Sequence, residues 1–244
     1  MRSLFCTLHE EYLRVRMGEQ DSGRTHYNHR FHQGCFFFRR KGLNMTAGIA
    51  ERSVTDAVAQ LRSCVFPMLR TRRMDQITCR DVLKVSHVSK SGFYYNYHDL
   101  EDLVFDCIRT EIDELTKGVR NYQSWTKAYY LILKYFQEHR EEIMNIYFSR
   151  YHSDFKREVE RYGRMVLEDA VNQNCESMHT KLDPDNENFM VDYYYGVFSG
   201  LLYRYVEQGM KKDPEKIVRQ CYAMMKGSIP ASITALSHQT DLSF

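Results

Sequence analysis

The chain has 244 residues, 43% hydrophobic and 27% charged, with a formal charge of +2 at pH 7. That is enough apolar material for a sizeable core, and it excludes both a disordered chain and a uniformly polycationic one. The charge is unevenly placed: residues 62–96 hold seven Lys/Arg against two acids, whereas residues 109–244 hold eighteen against twenty. A basic patch on an otherwise balanced protein is the footprint of an anionic partner.

Seven cysteines at 6, 35, 64, 79, 107, 175 and 221 form no CxxC pair, which fits free thiols in a reducing, cytoplasmic compartment. The opening MRSLFCTLHEEYLRV puts Glu10 and Glu11 where a signal peptide needs an apolar run, and no later stretch approaches a membrane span. No membrane partner is expected. With four prolines and twelve glycines and no alternating apolar pattern, the chain reads as all-α. It lacks a Gly-rich phosphate loop, an HExxH and a nucleophile elbow, so no catalytic residue, cofactor or metal is expected.

Residues 1–44 show no sustained apolar period and read as a flexible extension, as from an upstream start codon. His26, His29, His32 and Cys35 recur there at every third residue. Without a second cluster they read as a His-bearing extension rather than a zinc site. Arg39-Arg40-Lys41 would add nonspecific phosphate attraction. From Val54 the apolar positions Val58, Leu61, Val65, Met68 and Leu69 follow at helical spacing, and Pro67 is expected to kink that helix.

Two short helices follow, near 78–85 and 89–96, then a longer one from Asp99. Thr78 with Asp81, Ser89, and Asp99 with Asp102 are three helix-start signals. Helices of two turns do not stand alone in water, so these must pack through Ile77, Val82, Leu83, Val88, Phe93 and Tyr97, with Val88 as the buried pin. Lys90, Ser91, Tyr94, Tyr95 and Asn96 are left facing outward, and Arg80 projects from the start of the first short helix. Exposed aromatics beside cations and hydroxyls suit a nucleic acid, whose major groove admits a helix and whose phosphates accept such donors. Further helices are expected in SWTKAYYLILKYFQEH, REEIMNIYFSRY, FKREVERYGRMVLEDAVNQ, NFMVDYYYGVFSGLLYRYVEQGM and DPEKIVRQCYAMMKG, for nine or so in all.

Thr78 to Leu103 resembles the DNA-binding region of the tetracycline-repressor (TetR) family, with Thr78, Asp81, Val88, Ser89, Phe93, Tyr94, Tyr97, Glu101 and Leu103 in register without a gap. The resemblance implies a three-helix helix-turn-helix domain (45–108) followed by a helical effector-binding and dimerisation domain (109–244). It implies a homodimer that binds a palindromic double-stranded DNA operator and answers to a small-molecule effector, as a cytoplasmic, nucleoid-associated bacterial repressor. By position, Thr78 and Tyr94 would hold phosphates, Ser89 would cap the reading helix, and Arg80, Lys90, Ser91 and Tyr95 would lie nearest the bases, with Asn96 beside them. Four places depart from the pattern. His87 replaces a turn glycine, Leu83 an alanine, Ser91-Gly92 a Gly-Thr pair, and Leu100 a phosphate-binding lysine. LRTRRMDQIT and the YYYG helix also resemble the dihydroxyacetone-kinase-regulator-like subgroup.

Residues 109–244 hold twenty aromatics, most of them expected in the core. Trp125, Tyr129, Tyr147, Tyr151 and Tyr194 are the candidates for an effector pocket with an apolar wall and polar phenol tips. The last two long helices are apolar over a wide arc and are expected to form the subunit interface, with Gly196 and Gly200 permitting close approach. Two other readings remain: a dimeric ligand- or partner-binding protein of the same fold that has lost operator affinity, and a helical enzyme using His152 and Asp154 as acid and base.

Overall fold

The computed structural model describes the backbone of residues 47–119 and 124–237, and side chains from residue 56 onward. The expected extension, with His26, His29, His32, Cys35 and Arg39-Arg40-Lys41, lies outside the described residues. The described residues form ten α-helices, one 3-10 turn and no strand. The helices are α1 (Ala47–Leu69), α2 (Cys79–Ser86), α3 (Lys90–Asn96), α4 (Leu100–Leu115) and α5 (Trp125–Glu138). They continue with α6 (Arg140–Tyr147), α7 (His152–Ser177), α8 (Pro184–Glu207), α9 (Pro214–Met225) and α10 (Ser228–Ser237).

The described residues from 59 onward belong to one compact unit, and the opening turns of α1, up to residue 58, fall outside it. Within that unit, α4 runs unbroken through positions 108 and 109, so the regions expected on either side of that point share one helix. α1 continues through Pro67 to Leu69. The proline sits in the last turn, where its missing donor removes a single terminal bond. α10 was not anticipated, because Gly227 (φ +76°) reads as a terminus. Proline at the third position of α10 is tolerated, since the first N–H groups of a helix have no partner within it.

The three helix starts are built as their residue types dictate. Thr78 N–H donates to Asp81 Oδ2 (2.9 Å) while Asp81 N–H donates to Thr78 Oγ1 (3.2 Å), a reciprocal capping box. Ser89 Oγ accepts from Gly92 N–H at 3.0 Å, and Asp99 Oδ1 from Asp102 N–H at 2.9 Å. Between α2 and α3 the chain turns at His87, which takes the left-handed conformation (φ 57°, ψ 13°). Val88 is only half-buried, not the buried pin expected. A hydroxyl does part of that work, since buried Ser86 accepts Val88 N–H on Oγ at 3.3 Å. Val88 instead packs against the first turn of α3: a Cβ at Gly92 would stand 3.1 Å from Val88 Cγ1, so glycine there lets the turn close.

Phe93 (0% exposed), Val82 (0%) and Tyr97 (6%) bury α2 and α3 against a core that includes Leu61 and Leu103. α6 secures the C-terminal end of α1: Asn145 Nδ2 donates to the Leu69 carbonyl at 2.7 Å, and Arg70 Nε to buried Glu142 at 2.6 Å. α7 and α8 form the most extensive helix pair, α9 lies on α5, and α10 on α7. Ile229 and Ile233 of α10 join Leu167, Val171, Met190, Val191 and Tyr194 in one apolar cluster. The junction after α8 follows the expected chemistry, with Gly209 at φ +69°, Asp213 as cap and Pro214 in the first turn.

A β-carbon at φ 57° costs roughly 1–2 kcal/mol, partly offset by glycine's entropy in the unfolded chain. His87→Gly is therefore expected to raise the unfolding free energy by about 0.5–1 kcal/mol in urea titrations.

Candidate nucleic-acid interface and ligand cavity

Capping and burial fix which face of α3 is outside. Burying Phe93 and Tyr97 turns Lys90, Ser91, Tyr94 (50% exposed) and Tyr95 (76%) to solvent, with Thr78, Arg80 and Ser89 exposed beside them. Tyr94 packs edge-on against Phe93 with ring centroids 5.2 Å apart, and Lys90 Nζ stands 6.0 Å from the Tyr94 ring centre. Asn96 departs from expectation: it is half-buried and its amide donates to the Gly92 carbonyl at 2.8 Å, so it braces α3. Ser89 Oγ is likewise engaged, by Gly92 N–H and by Ser91 Oγ at 3.1 Å. Leu100, in place of the family's lysine, is buried (5%) in the core.

The basic patch divides by pairing. Arg62 meets Asp106, Arg70 meets Glu142, Arg73 meets Asp75 at 2.9 Å, and Arg72 lies 3.8 Å from Asp81. Arg80, Lys84 and Lys90 have no carboxylate partner among the described residues, so their charge is available to an external anion.

A second candidate site is an apolar cavity of about 180 Å³ between α4, α5, α7 and α8. Phe105, Ile108 and Ile112 of α4, Trp125, Tyr129, Ile132 and Phe136 of α5, and Phe155, Val159 and Val166 of α7 line it. Tyr195, Phe198 and Leu202 of α8 complete much of the wall, with Met225 and Ile229 beyond. Of the five pocket candidates it includes Trp125 and Tyr129 only. Tyr147 is buried elsewhere, its hydroxyl donating to Glu207 at 2.8 Å. Tyr151 stands at the start of α7 with its hydroxyl held by Arg150 at 2.8 Å, and Tyr194 lies in the α10 cluster, 3.2 Å from Ser232 Oγ. The missed wall residues recur at three and four along α4, α5 and α7. Ordinary core faces do the same, so the spacing alone does not separate cavity from core.

A chain of hydrogen-bonded charges leads from this cavity to the end of α3. Arg109 and Glu158, both on the cavity wall, pair at 2.7 Å, and Arg109 Nη2 donates to Asp106 Oδ1 at 3.3 Å. The other oxygen of Asp106 accepts from the Tyr97 hydroxyl (2.7 Å) and from Arg62 Nη2 (2.6 Å) and Nε (3.1 Å). Tyr97 is the residue that closes α3. Burial alone would raise the Asp106 carboxyl, but the donors from Tyr97, Arg62 and Arg109 hold it below the usual carboxylate range.

His152 Nδ1 lies 2.8 Å from the Tyr147 carbonyl and Asp154 pairs with Arg157 at 2.8 Å, so each of the proposed acid and base is engaged elsewhere. Among the described residues no His/Cys/Asp/Glu group is placed to hold a metal, and no helix is long and apolar enough to cross a membrane. The five described cysteines are free thiols, and burial pushes the Cys107 thiol up to about 12.

The described residues are thus helical, with capped short helices that expose a basic, tyrosine-bearing face followed by longer helices around a cavity. Residues 123–227 match the family model TetR_C_8, "Transcriptional regulator C-terminal region". Among solved structures, "Dihydroxyacetone kinase operon activator DhaS" is similar in fold, with 16% identity and a TM-score of 0.51 over 74% of this chain and 98% of that one. No curated protein matches the sequence.

Asp106→Asn is expected to lower stability at neutral pH by about 1–3 kcal/mol, because Arg62 and Arg109 lose a charged acceptor. Since the folded carboxyl lies below its unfolded value, its contribution is present above about pH 4 and is lost as pH falls through the folded value. Urea melts of wild type and variant are expected to converge toward pH 2–3, roughly.

Proposed function

We propose that the protein is a homodimeric, ligand-responsive regulator that reads a palindromic operator with α3. The observation that carries this reading is the exposed set Lys90, Ser91, Tyr94 and Tyr95 beside the unpaired Arg80 and Lys84, on helices whose caps leave them a single orientation. Helices of seven and eight residues held by core contacts present base-reading and phosphate-holding groups at a fixed angle. DNA covers the two tyrosines while giving the cations phosphates and base edges to contact. Such a protein acts on DNA in the cytoplasm.

Dimerisation is supported by one face of α8. Phe189 (62% exposed), Tyr193 (59%), Gly196 and Gly200 follow at helical spacing, and nothing lies within 4 Å of a Cβ added at either glycine. Tyr222 and Met224 of α9 are also exposed. Large rings around a glycine strip make a surface onto which a second helix can close. The cavity would receive the effector, and the Glu158–Arg109–Asp106–Tyr97 chain would carry its effect to α3. Ligand would then shift the population toward dimers whose α3 helices no longer match major grooves about 34 Å apart. Repression is the sign implied by the family resemblance, although the structural neighbour is an activator by its name.

Selection of bound DNA from a random pool at low salt tests the reading. A recovered palindrome is expected, and Lys90→Ala and Tyr94→Phe are expected to weaken binding to it without loss of helicity. Failure to enrich any palindrome favours the same fold without operator affinity, a reading that the burial of Leu100 and the tethering of Asn96 make specific. Gly196→Trp and Gly200→Trp are expected to leave the helical signal intact and shift the sedimentation coefficient to that of a monomer.

A further inference from the structure

We propose that the cavity binds an uncharged, compact, hydrocarbon-like molecule about the size of a substituted benzene, and rejects ions and polyhydroxylated metabolites. The proposal rests on reading the cavity as the sensing site and names its ligand class. The wall is rich in phenols, yet their hydroxyls are committed to the protein. Tyr129 donates to the Phe198 carbonyl at 3.0 Å, Tyr195 meets Tyr203 at 3.1 Å, and Tyr162 meets Thr116 at 3.2 Å. The charges are committed as well, Arg109 to Glu158 and Asp106, and Glu158 also to Arg161 at 2.5 Å. What faces the space is carbon.

A ligand ion would shed its hydration without finding a counter-charge, and a polyol would bury hydroxyls with too few acceptors. Ser228, whose buried Oγ has no hydrogen-bond partner, offers at most one such contact. Shape points the same way. Trp125 and Tyr129 both meet Phe198 edge-to-face, at 5.4 and 5.0 Å, and a ligand ring extends that packing. Apolar cavities of about 150 Å³ stay dry and accept benzene. At about 180 Å³, this one has room for one ring with a small substituent.

Trp125 is the chain's single tryptophan and lies on the wall, so its emission reports occupancy directly. The full-length protein, free of DNA, is titrated with toluene, benzoate, benzylammonium and dihydroxyacetone, following Trp125 emission and melting temperature. Toluene is expected to change the emission saturably and raise the melting temperature, the two ions to bind at least about a hundredfold more weakly, and dihydroxyacetone to do neither. Ala128→Leu on α5 and Ala170→Leu on α7 fill the cavity from different walls, and whichever folds is expected to lose the toluene response. Toluene without effect, benzoate or dihydroxyacetone binding as tightly as toluene, or a folded, filled variant responding like wild type overturns the proposal. The wild-type series decides the ligand class even if neither variant folds. Because no DNA is present, a negative result leaves the operator reading standing, and a failed operator selection leaves this one standing.

Discussion

The carboxylate of Asp106 is the point on which this architecture turns. It sits on α4, the helix shared by the short N-terminal helices and the cavity, and accepts hydrogen bonds from α1 through Arg62, from the end of α3 through Tyr97, and from its own helix through Arg109. A carboxylate so placed is held ionised by its donors, and the donors are oriented by it. α2 and α3 are too short to persist alone. Their orientation therefore depends on apolar burial around Phe93 and Val82 and on this polar clamp at the end of α3.

The clamp also joins two surfaces of unlike chemistry. On one side lie tyrosines, hydroxyls and unpaired cations; on the other, a largely carbon-walled space whose phenol hydroxyls and charges are bonded within the protein. Glu158 and Arg109 belong to the cavity wall and to the charge network at once. Arg109 stands two hydrogen bonds from Tyr97 and Glu158 three, so a molecule that displaced these side chains would act close to the end of α3. Packed interiors transmit such displacements because they do not compress.

The exposed face of α8 carries a different constraint. Glycines in a helix interior weaken it, and Gly196 and Gly200 open onto empty space rather than fitting a neighbour within the chain. Gly163 shows the contrast: a Cβ there would stand 3.1 Å from the Tyr195 ring, so that glycine serves packing between α7 and α8.

Much of the fold was legible in the residues because its determinants are local. Thr78 with Asp81, Ser89, and Asp99 with Asp102 specify helix starts through bonds spanning three residues, and the family resemblance puts a turn glycine at the position of His87, which takes the left-handed conformation. Which face of α3 is exposed followed from the positions of Phe93 and Tyr97. Three-dimensional packing decided the rest. Val88 yields its expected place to the Ser86 hydroxyl, Asn96 turns back to the Gly92 carbonyl, and the helix after Gly227 is held by Leu167, Val171 and Val191. Tyr147 and Tyr194 share the helical spacing of Trp125 and Tyr129 but are buried elsewhere, because the spacing identifies an inward face and not what lies opposite it. Only the assembled helices show which inward faces meet and which leave a space between them.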